Sequence, residues 1–454
     1  MARQFKTVDY EASLQQTVTI AECLPPEHLA RFIVSVIAML DLSAIYAQYA
    51  TRGGEPYAPE ILLGLLLYGY VSGVFSARQI ERATYESIPF RYIAGGWHPD
   101  HDTLANFRKT FLPQITDLFV QVLLVAKEAG VLQLGRLSLD GSKVHADASK
   151  SKAVSYKRLL ELEQLLQQEV AELLALSAQA DAGTLPANMD VQEELVLRRS
   201  RLANLAQAKK VLELRAAEQY QVEKAAYEAQ VQAREARARQ EHRKPRGRQP
   251  KPPQPGPQDQ DQYNFTDPDS RMMKNSTDQG FNQHYNVQVA VDQDSFLIVA
   301  HSLSNHPTDR HEALPTLDAI APTVGTPEAA ALDAGYFSAT NIAEMEQRGI
   351  EPYIATGRDA HYKSWRTRFA ELPDPPPEEA TPMVKMAYKL KTKIGQAIYK
   401  LRKATVEPVI GIIKEIIGFR QFSLRGLAAA AGEWCLVCLA FNLKRLYVLL
   451  GGQL

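Results

Sequence analysis

The chain has 454 residues, 45% of them hydrophobic, and a formal net charge of −1. That length calls for two or three domains with ample material for a large core, and the near-neutral balance excludes binding to a polyanion by bulk charge. Three cysteines are too few for a disulfide framework and fit a reducing compartment. Cys435 and Cys438 form a single C-x-x-C inside the apolar stretch 434–441, which reads as a buried helix rather than half of a zinc site. Residues 1–10 are mixed polar and lack a signal-peptide core, and the strongest apolar run, 61–75, carries three glycines and is short for a membrane span. The expectation is a soluble cytoplasmic protein with no membrane segment.

Residues 1–130 read as a helical N-terminal domain. Pro25 to His28 opens a helix through Leu40, and Ala58-Pro59-Glu60 starts another through Ser72, with Pro59 at a favoured early position. Residues 76–85 are helix-like, with Arg78 and Arg82 on one face. After a Gly-bearing loop at 95–99, Asp102-Thr103 looks like a capped start for a helix carrying Asn106, Arg108 and Lys109. Two short helices so joined fit a DNA-reading unit with Arg78, Arg82 and Arg108 as contacts, and equally a plain helical bundle with a solvated basic face.

Residues 131–149 hold a first strand ending near Asp140, in Leu139-Asp140-Gly141-Ser142-Lys143. The stretch 150–262 differs sharply. Leu159, Leu162, Leu165 or Leu166, Val170, Leu173 and Leu176 recur at helical spacing, and Leu195, Leu202, Leu205, Val211, Leu212 and Leu214 repeat the style after a break at 183–186. This predicts an antiparallel helical hairpin or coiled coil inserted after the first strand. It runs into a basic, proline-rich linker at 234–257, read as a disordered tail touching phosphates or as a solvated helix end.

From 263 to 454 the pattern becomes that of strands and helices in alternation. Residues 285–292 alternate at period two and 296–301 follow across a short turn, so a β-hairpin is expected. A helix at 311–320, a buried strand at 329–333, a helix at 338–348, a strand at 351–356, and helices at 385–403, 408–417 and 432–450 complete the chain. Three strands, helix, strand, helix, strand, helix is the order of an RNase H-like α/β fold, here with an all-helical N-terminal domain and a helical coiled-coil insertion.

Three carboxylates stand out in this frame. Asp140 and Asp333 each close an apolar run with glycine next or one residue later, and Glu407 lies among Tyr399, Arg402, Lys403 and Lys414. Carboxylates at strand ends point rigidly into a cleft and suit two metal ions about 3.5–4 Å apart that clamp an in-line phosphoryl displacement. The bland reading is that each aspartate starts a turn. His301, His306, Asp309 and His311 have ligand chemistry but fall at a loop and helix start, and Asp147, Asp267 and Asp292 read as turn or supporting residues.

Five motifs in order resemble the DDE transposases of bacterial insertion sequences, in the branch with a helical N-terminal domain and a coiled-coil insertion. They are 139–143, 264–274, 280–288, 333–336 and 406–414. The resemblance implies that Asp140, Asp333 and Glu407 bind two Mg2+ ions (Mn2+ being an alternative), with hydrolytic nicking at transposon ends and strand transfer by the freed 3′-hydroxyl. It implies double-stranded terminal repeats and target DNA as partners and a cytoplasmic, nucleoid-associated location in a bacterium, while the coiled coil makes a homodimer the expected active complex. Tyr399, Lys414, Lys143 and Arg271 would hold phosphates. The family's signature around the third carboxylate is Y-x2-R-x3-E-x6-K. Counted back from Glu407, its arginine place is held by Lys403, and Arg402 stands one residue early. A helical step of 100° puts Lys403 within about 40° of Glu407 and Arg402 about 140° away, so both remain candidate DNA contacts. Pro408 disfavours helix at Glu407, which allows Glu407 to cap a new helix beginning there. A transposase derivative that binds DNA without cutting it, and an RNase H-like nuclease, are the alternative functions.

Overall fold

The computed structural model describes residues 19–49, 54–180, 190–240, 249–275, 280–357 and 372–453. In α1 (Leu29–Met39) the cap is His28, whose Nδ1 accepts the Ala30 amide at 3.0 Å. Pro59 opens α2 (Pro59–Val71), and α3 (Ala77–Glu86) and a short α4 (Ile88–Ile93) follow. Then comes α5 (His101–Glu128), capped by Asp100 rather than by Asp102, since Asp100 Oδ1 accepts the Thr103 amide at 2.8 Å. Next in order are β1 (Arg136–His145), β2 (Ala153–Ser155), α6 (Tyr156–Ala180), α7 (Val191–Gln240), β3 (Gln262–Asn264), β4 (Arg271–Lys274), β5 (Phe281–Asp292) and β6 (Ile298–Ser304). The chain closes with α8 (Ala313–Asp318), β7 (Ala329–Leu332), α9 (Ala339–Gln347), β8 (Glu351–Ile354), α10 (Pro382–Lys389), α11 (Lys393–Gly411) and α12 (Leu427–Leu449).

These elements form two compact units, one of Met1–Asp147, Met273–Gly280 and His284–Leu454, the other of Ala148–Met272 and Phe281–Gln283. The first unit is built on a mixed sheet. Its central strand β1 pairs antiparallel with β5 and parallel with β7; β6 pairs antiparallel with β5, and β8 parallel with β7. The hairpin turn between β5 and β6 is closed by Asp292, whose Oδ2 accepts the Ser295 amide at 2.8 Å, and it holds Phe296 at φ 63°.

Two helices, α5 and α12, are long and apolar enough to cross a membrane by composition. Their apolar surface is spent inside this unit: they pack so closely that a Cβ on Gly432 would meet Leu112 at 2.9 Å. Asn442 on α12 satisfies both backbone groups of Ile298, accepting its amide at 2.8 Å and donating to its carbonyl at 2.7 Å. Residues 62–71 of α2 are buried all round, so the apolar run there is a core helix.

In the second unit α6 and α7 form an antiparallel hairpin. Leu159 and Leu166 share a core with Leu205, Ala208 and Leu212, whereas Leu173 packs with Val191 and Leu195. Ion pairs Lys209–Glu163 at 2.8 Å and Arg198–Glu169 at 2.6 Å run along it. The basic stretch expected to be a tail remains helical to Gln240, because α7 continues without a breaker; the break expected at 183–186 lies outside the described residues.

Two local expectations change. The region 76–128 holds three helices, and the last is 28 residues long, so it is not the pair of short helices expected of a DNA-reading unit. Helix α11 runs through Pro408 to Gly411 and passes into a π-helical turn at Ile412–Ile416, so Glu407 does not cap a new helix. Proline inside a helix costs about 3 kcal/mol. The buried face of Ile398, Arg402, Thr405, Val406 and Val409 outweighs that cost and holds the segment helical.

Candidate active site

The parallel register of β1 and β7 makes Leu139 and Leu332 partners, with Leu332 the last residue of β7. Asp140, within β1, and Asp333, just past the end of β7, are the next residues. Neighbouring strands lie about 4.8 Å apart, so both carboxylates leave the sheet side by side. Beyond this point β1 continues on β5, with Asp140 opposite Val289, and its other edge is no longer covered by β7. Asp333 Oδ1 accepts the Gly335 amide at 2.8 Å, which fixes its direction at the start of a 3-10 turn.

Gly141 follows Asp140 for a steric reason. A Cβ there would sit 2.2 Å from Gln288 Nε2, so the fully buried Gln288 requires the glycine. The Gly141 amide donates to Asp140 Oδ1 at 2.8 Å. Burial pushes the Asp140 carboxyl up to about 6; the Arg402 guanidinium opposes this, and the Asp333 charge adds to it.

Helix α11 is locked to β1 by polar contacts in a buried setting. Thr405 Oγ1 donates to Ser138 Oγ at 2.6 Å, and Gln293 Nε2 donates to the same Ser138 Oγ at 3.0 Å and to Ile398 O at 3.3 Å. From this helix Arg402 donates through Nη1 to Asp140 Oδ2 at 2.8 Å, and its Nη2 lies 3.8 Å from Glu407 Oε1. The guanidinium is only 6% exposed and lies 5.8 Å from the centre of the Tyr399 ring. Arg402 is therefore engaged with the carboxylates and is not presented to DNA, whereas Lys403 is exposed. The helical wheel misleads here because a long, flexible arginine spans between neighbouring elements, and the wheel records only where its Cβ starts.

A buried polar layer lies beneath the pair. Tyr336 donates to Gln288 Oε1, Gln288 Nε2 donates to Asp309 Oδ1 at 3.0 Å, and Asn286 Nδ2 donates to the same oxygen at 2.7 Å. Lys143 reaches Asp309 at 3.5 Å, with burial lowering its pKa. Lys414, in the π-helical turn, donates to Ser142 Oγ at 2.6 Å and Lys143 O at 2.8 Å. Both lysines expected on phosphates thus have internal partners. Gln288, Asn286, Tyr336 and Asp309 were not assigned roles from the sequence. The available signal was the polar set Asn286, Gln288 and Asp292 on one face of an alternating strand.

The remaining expected contacts divide. Arg108 is a correction: it is buried, donates to Tyr70 Oη at 2.9 Å and Phe75 O at 3.2 Å, and lies 3.8 Å from the fully buried Glu433. Arg78 is exposed, and Arg82 is exposed but paired with Glu86 at 2.7 Å. In the second unit, Arg271 Nη1 donates to the carbonyls of Pro268, Asp269 and Ser270 at 2.9–3.0 Å. The histidines do not converge: His301 lies in β6 against the Phe119 ring, and His306 bonds to Glu312 at 2.8 Å. Cys435 and Cys438 are buried on α12.

Among the described residues no three His, Cys, Asp or Glu side chains are gathered closely enough to hold a metal ion. The donor chemistry of the Asp140–Asp333 pair nevertheless fits a hard divalent cation, since both groups are carboxylates and each repels the other. Glu407 reaches the pair through Arg402.

Asp140 and Asp333 on neighbouring parallel strands, with Arg402 lying between Asp140 and the helix-borne Glu407, make up the candidate centre. Family models agree: a transposase domain (DUF772) matches residues 18–110, and a transposase DDE domain matches residues 224–443. The chain belongs to the DDE transposases of insertion sequences. The DDE match contains Asp333 and Glu407 and begins after Asp140, which the sheet register brings beside Asp333. No curated protein and no solved structure matches the chain.

Proposed function

We propose that this transposase binds the terminal inverted repeats of its element, cuts DNA strands there and joins the freed 3′-hydroxyl to target DNA. The observation that carries this reading is the adjacency of Asp140 and Asp333 where β7 ends beside β1. Asp140, Asp333 and Glu407 are the proposed metal ligands, with Mg2+ or Mn2+ as cofactor. Such an ion supplies Lewis-acid polarisation of a phosphodiester and a more acidic nucleophile. The chain's own part is to hold Asp140 and Asp333 in fixed directions through the Gly141 and Gly335 amides, and to seat Glu407 on a helix locked to β1.

The six-stranded sheet, β4-β5-β1-β7-β8 with β6 also paired to β5, supports an RNase H-like catalytic domain, and the α6–α7 hairpin supports the coiled-coil insertion. Exposed Arg78, Arg82 and Lys403 are the proposed phosphate contacts that position the duplex. Leu165, Val196, Leu214 and Val222 are exposed on the hairpin, which favours a homodimer as the active complex. The setting is bacterial cytoplasm, on nucleoid DNA.

The test is Mg2+-dependent nicking of a duplex bearing the element's own terminal repeats. Asp140→Asn and Asp333→Ala should each abolish it. Unchanged nicking by Asp333→Ala removes the assignment, and tight binding to the ends without any strand breakage identifies a silent derivative.

A further inference from the structure

Arg402 is a buried cation with an unusual set of partners. One arm bonds Asp140 Oδ2 at 2.8 Å, the other lies 3.8 Å from Glu407, and Nε is buried with no hydrogen-bond acceptor among the described residues. A guanidinium left partly unpaired out of water is kept at a cost, and helix packing alone would be better served by an apolar side chain. What the charge achieves is neutralisation. Asp140 and Asp333 leave neighbouring strands together, and without a cation between or beside them their repulsion would drive them apart or force one to take a proton.

The geometry points to Arg402 as a resident cation: a positioning residue that holds Asp140, with Glu407 at its second arm, and that must yield Asp140 Oδ2 before that oxygen can ligate a divalent ion. This inference rests on the divalent-metal reading of the site. It replaces the DNA contact that the sequence suggested for Arg402, and it makes the metal affinity of the free protein a balance between two cations competing for one carboxylate. Lysine cannot reproduce the arrangement, because a single ammonium lacks the planar fork that engages two carboxylates at once.

Mn2+ binding to the full chain, followed by electron paramagnetic resonance of the free ion at about pH 8, where carboxylates are ionised, tests this. Arg402→Gln should bind Mn2+ roughly tenfold more tightly than wild type, because the competing charge is gone, and Arg402→Lys should lie between them. Asp333→Asn should bind at least about tenfold more weakly, as expected of a lost carboxylate ligand. Equal or weaker Mn2+ binding by Arg402→Gln, with Asp333→Asn weakened, overturns the resident-cation role and leaves the metal site standing. A purely structural arginine would give that result, lowering thermal stability without raising Mn2+ affinity. Wild type that binds no Mn2+, or binding indifferent to Asp333→Asn, overturns the metal reading and this inference with it. If the Arg402 variants do not fold, wild-type crystals soaked in Mn2+ decide. Arg402 should then stand more than about 3.5 Å from Asp140 Oδ2, beyond hydrogen-bond reach, and an intact bond beside bound Mn2+ overturns the proposal.

Discussion

Leu139 on β1 and Leu332 on β7 are partners in a parallel register, and this pairing sets Asp140 and Asp333 beside each other although 192 positions separate them in the numbering. The ending of β7 at Leu332 matters as much as the pairing. It leaves the Asp140 edge of β1 uncovered while β5 still supports the strand from the other side. Backbone amides then aim both carboxylates, and helix α11 lays Arg402 across Asp140.

Gly141→Ala should destabilise the protein. The added Cβ would meet Gln288 Nε2 at 2.2 Å and Cδ at 2.7 Å, and Gln288 is held by Tyr336, Asn286 and Asp309. Overpacking of this kind costs about 1–3 kcal/mol. Urea unfolding should show the loss in the native background and much less of it in Gln288→Ala; an equal loss in both would rule out the clash.

Thr405→Val removes the 2.6 Å bond to Ser138 from a fully buried position. We expect a stability loss of about 1–2 kcal/mol. A double-mutant cycle with Ser138→Ala should give a coupling of about 0.5–2 kcal/mol, as for residues sharing one network. Strict additivity would mean that this bond does not fasten α11 to β1.

Arg108→Met and Arg78→Ala should separate stability from DNA binding. Glu433 accepts from Tyr70 Oη at 2.8 Å and from the Ser423 and Leu424 amides at 2.9 and 3.0 Å, with Arg108 supplying the counter-charge. Removing one partner of a buried pair costs about 3–5 kcal/mol, so thermal melting of Arg108→Met should shift strongly. Arg78→Ala should melt as wild type and reduce the salt slope of duplex binding by about 1, as expected of a phosphate contact. The opposite pattern would return Arg108 to the DNA surface.

Burial pushes the His301 imidazole down to about 4 from its ordinary 6.5, and the ring packs edge-on against Phe119 with centroids 4.8 Å apart. Between these values the unfolded chain binds a proton that the folded one refuses. This part of the stability is therefore complete above pH 6.5 and is lost as pH falls toward about 4. The expected loss is up to about 3 kcal/mol. His301→Phe should flatten the dependence of the urea midpoint over that window, and an unchanged slope would assign the acid sensitivity elsewhere.

Much of the fold around Asp140 and Asp333 was legible because it rests on local signals. Short apolar runs punctuated by Asp and Gly marked β1 and β7, period-two alternation marked β5, and Pro59 and Ser338 marked helix starts. Arg108 was misread because a basic residue on an amphipathic helix looks solvated until its partner is known, and Glu433 lies 325 positions away. Asn286, Gln288 and Asp292 on the polar face of β5 are all buried, and the partners that satisfy Asn286 and Gln288, Asp309 and Tyr336, come from other segments.

By itself the sequence determined the order of strands and helices, and with it the placing of Asp333 just after β7, since periodicity and turn residues act over a few neighbours; Asp140, expected near the end of its strand, lies in the middle of β1 because pairing with β5 carries that strand on to His145. Only the tertiary structure decided which cation meets Asp140, whether α11 survives Pro408, and which lysines and arginines are spent internally. Those outcomes depend on long side chains meeting partners from distant segments, where burial and charge pairing outweigh local preference.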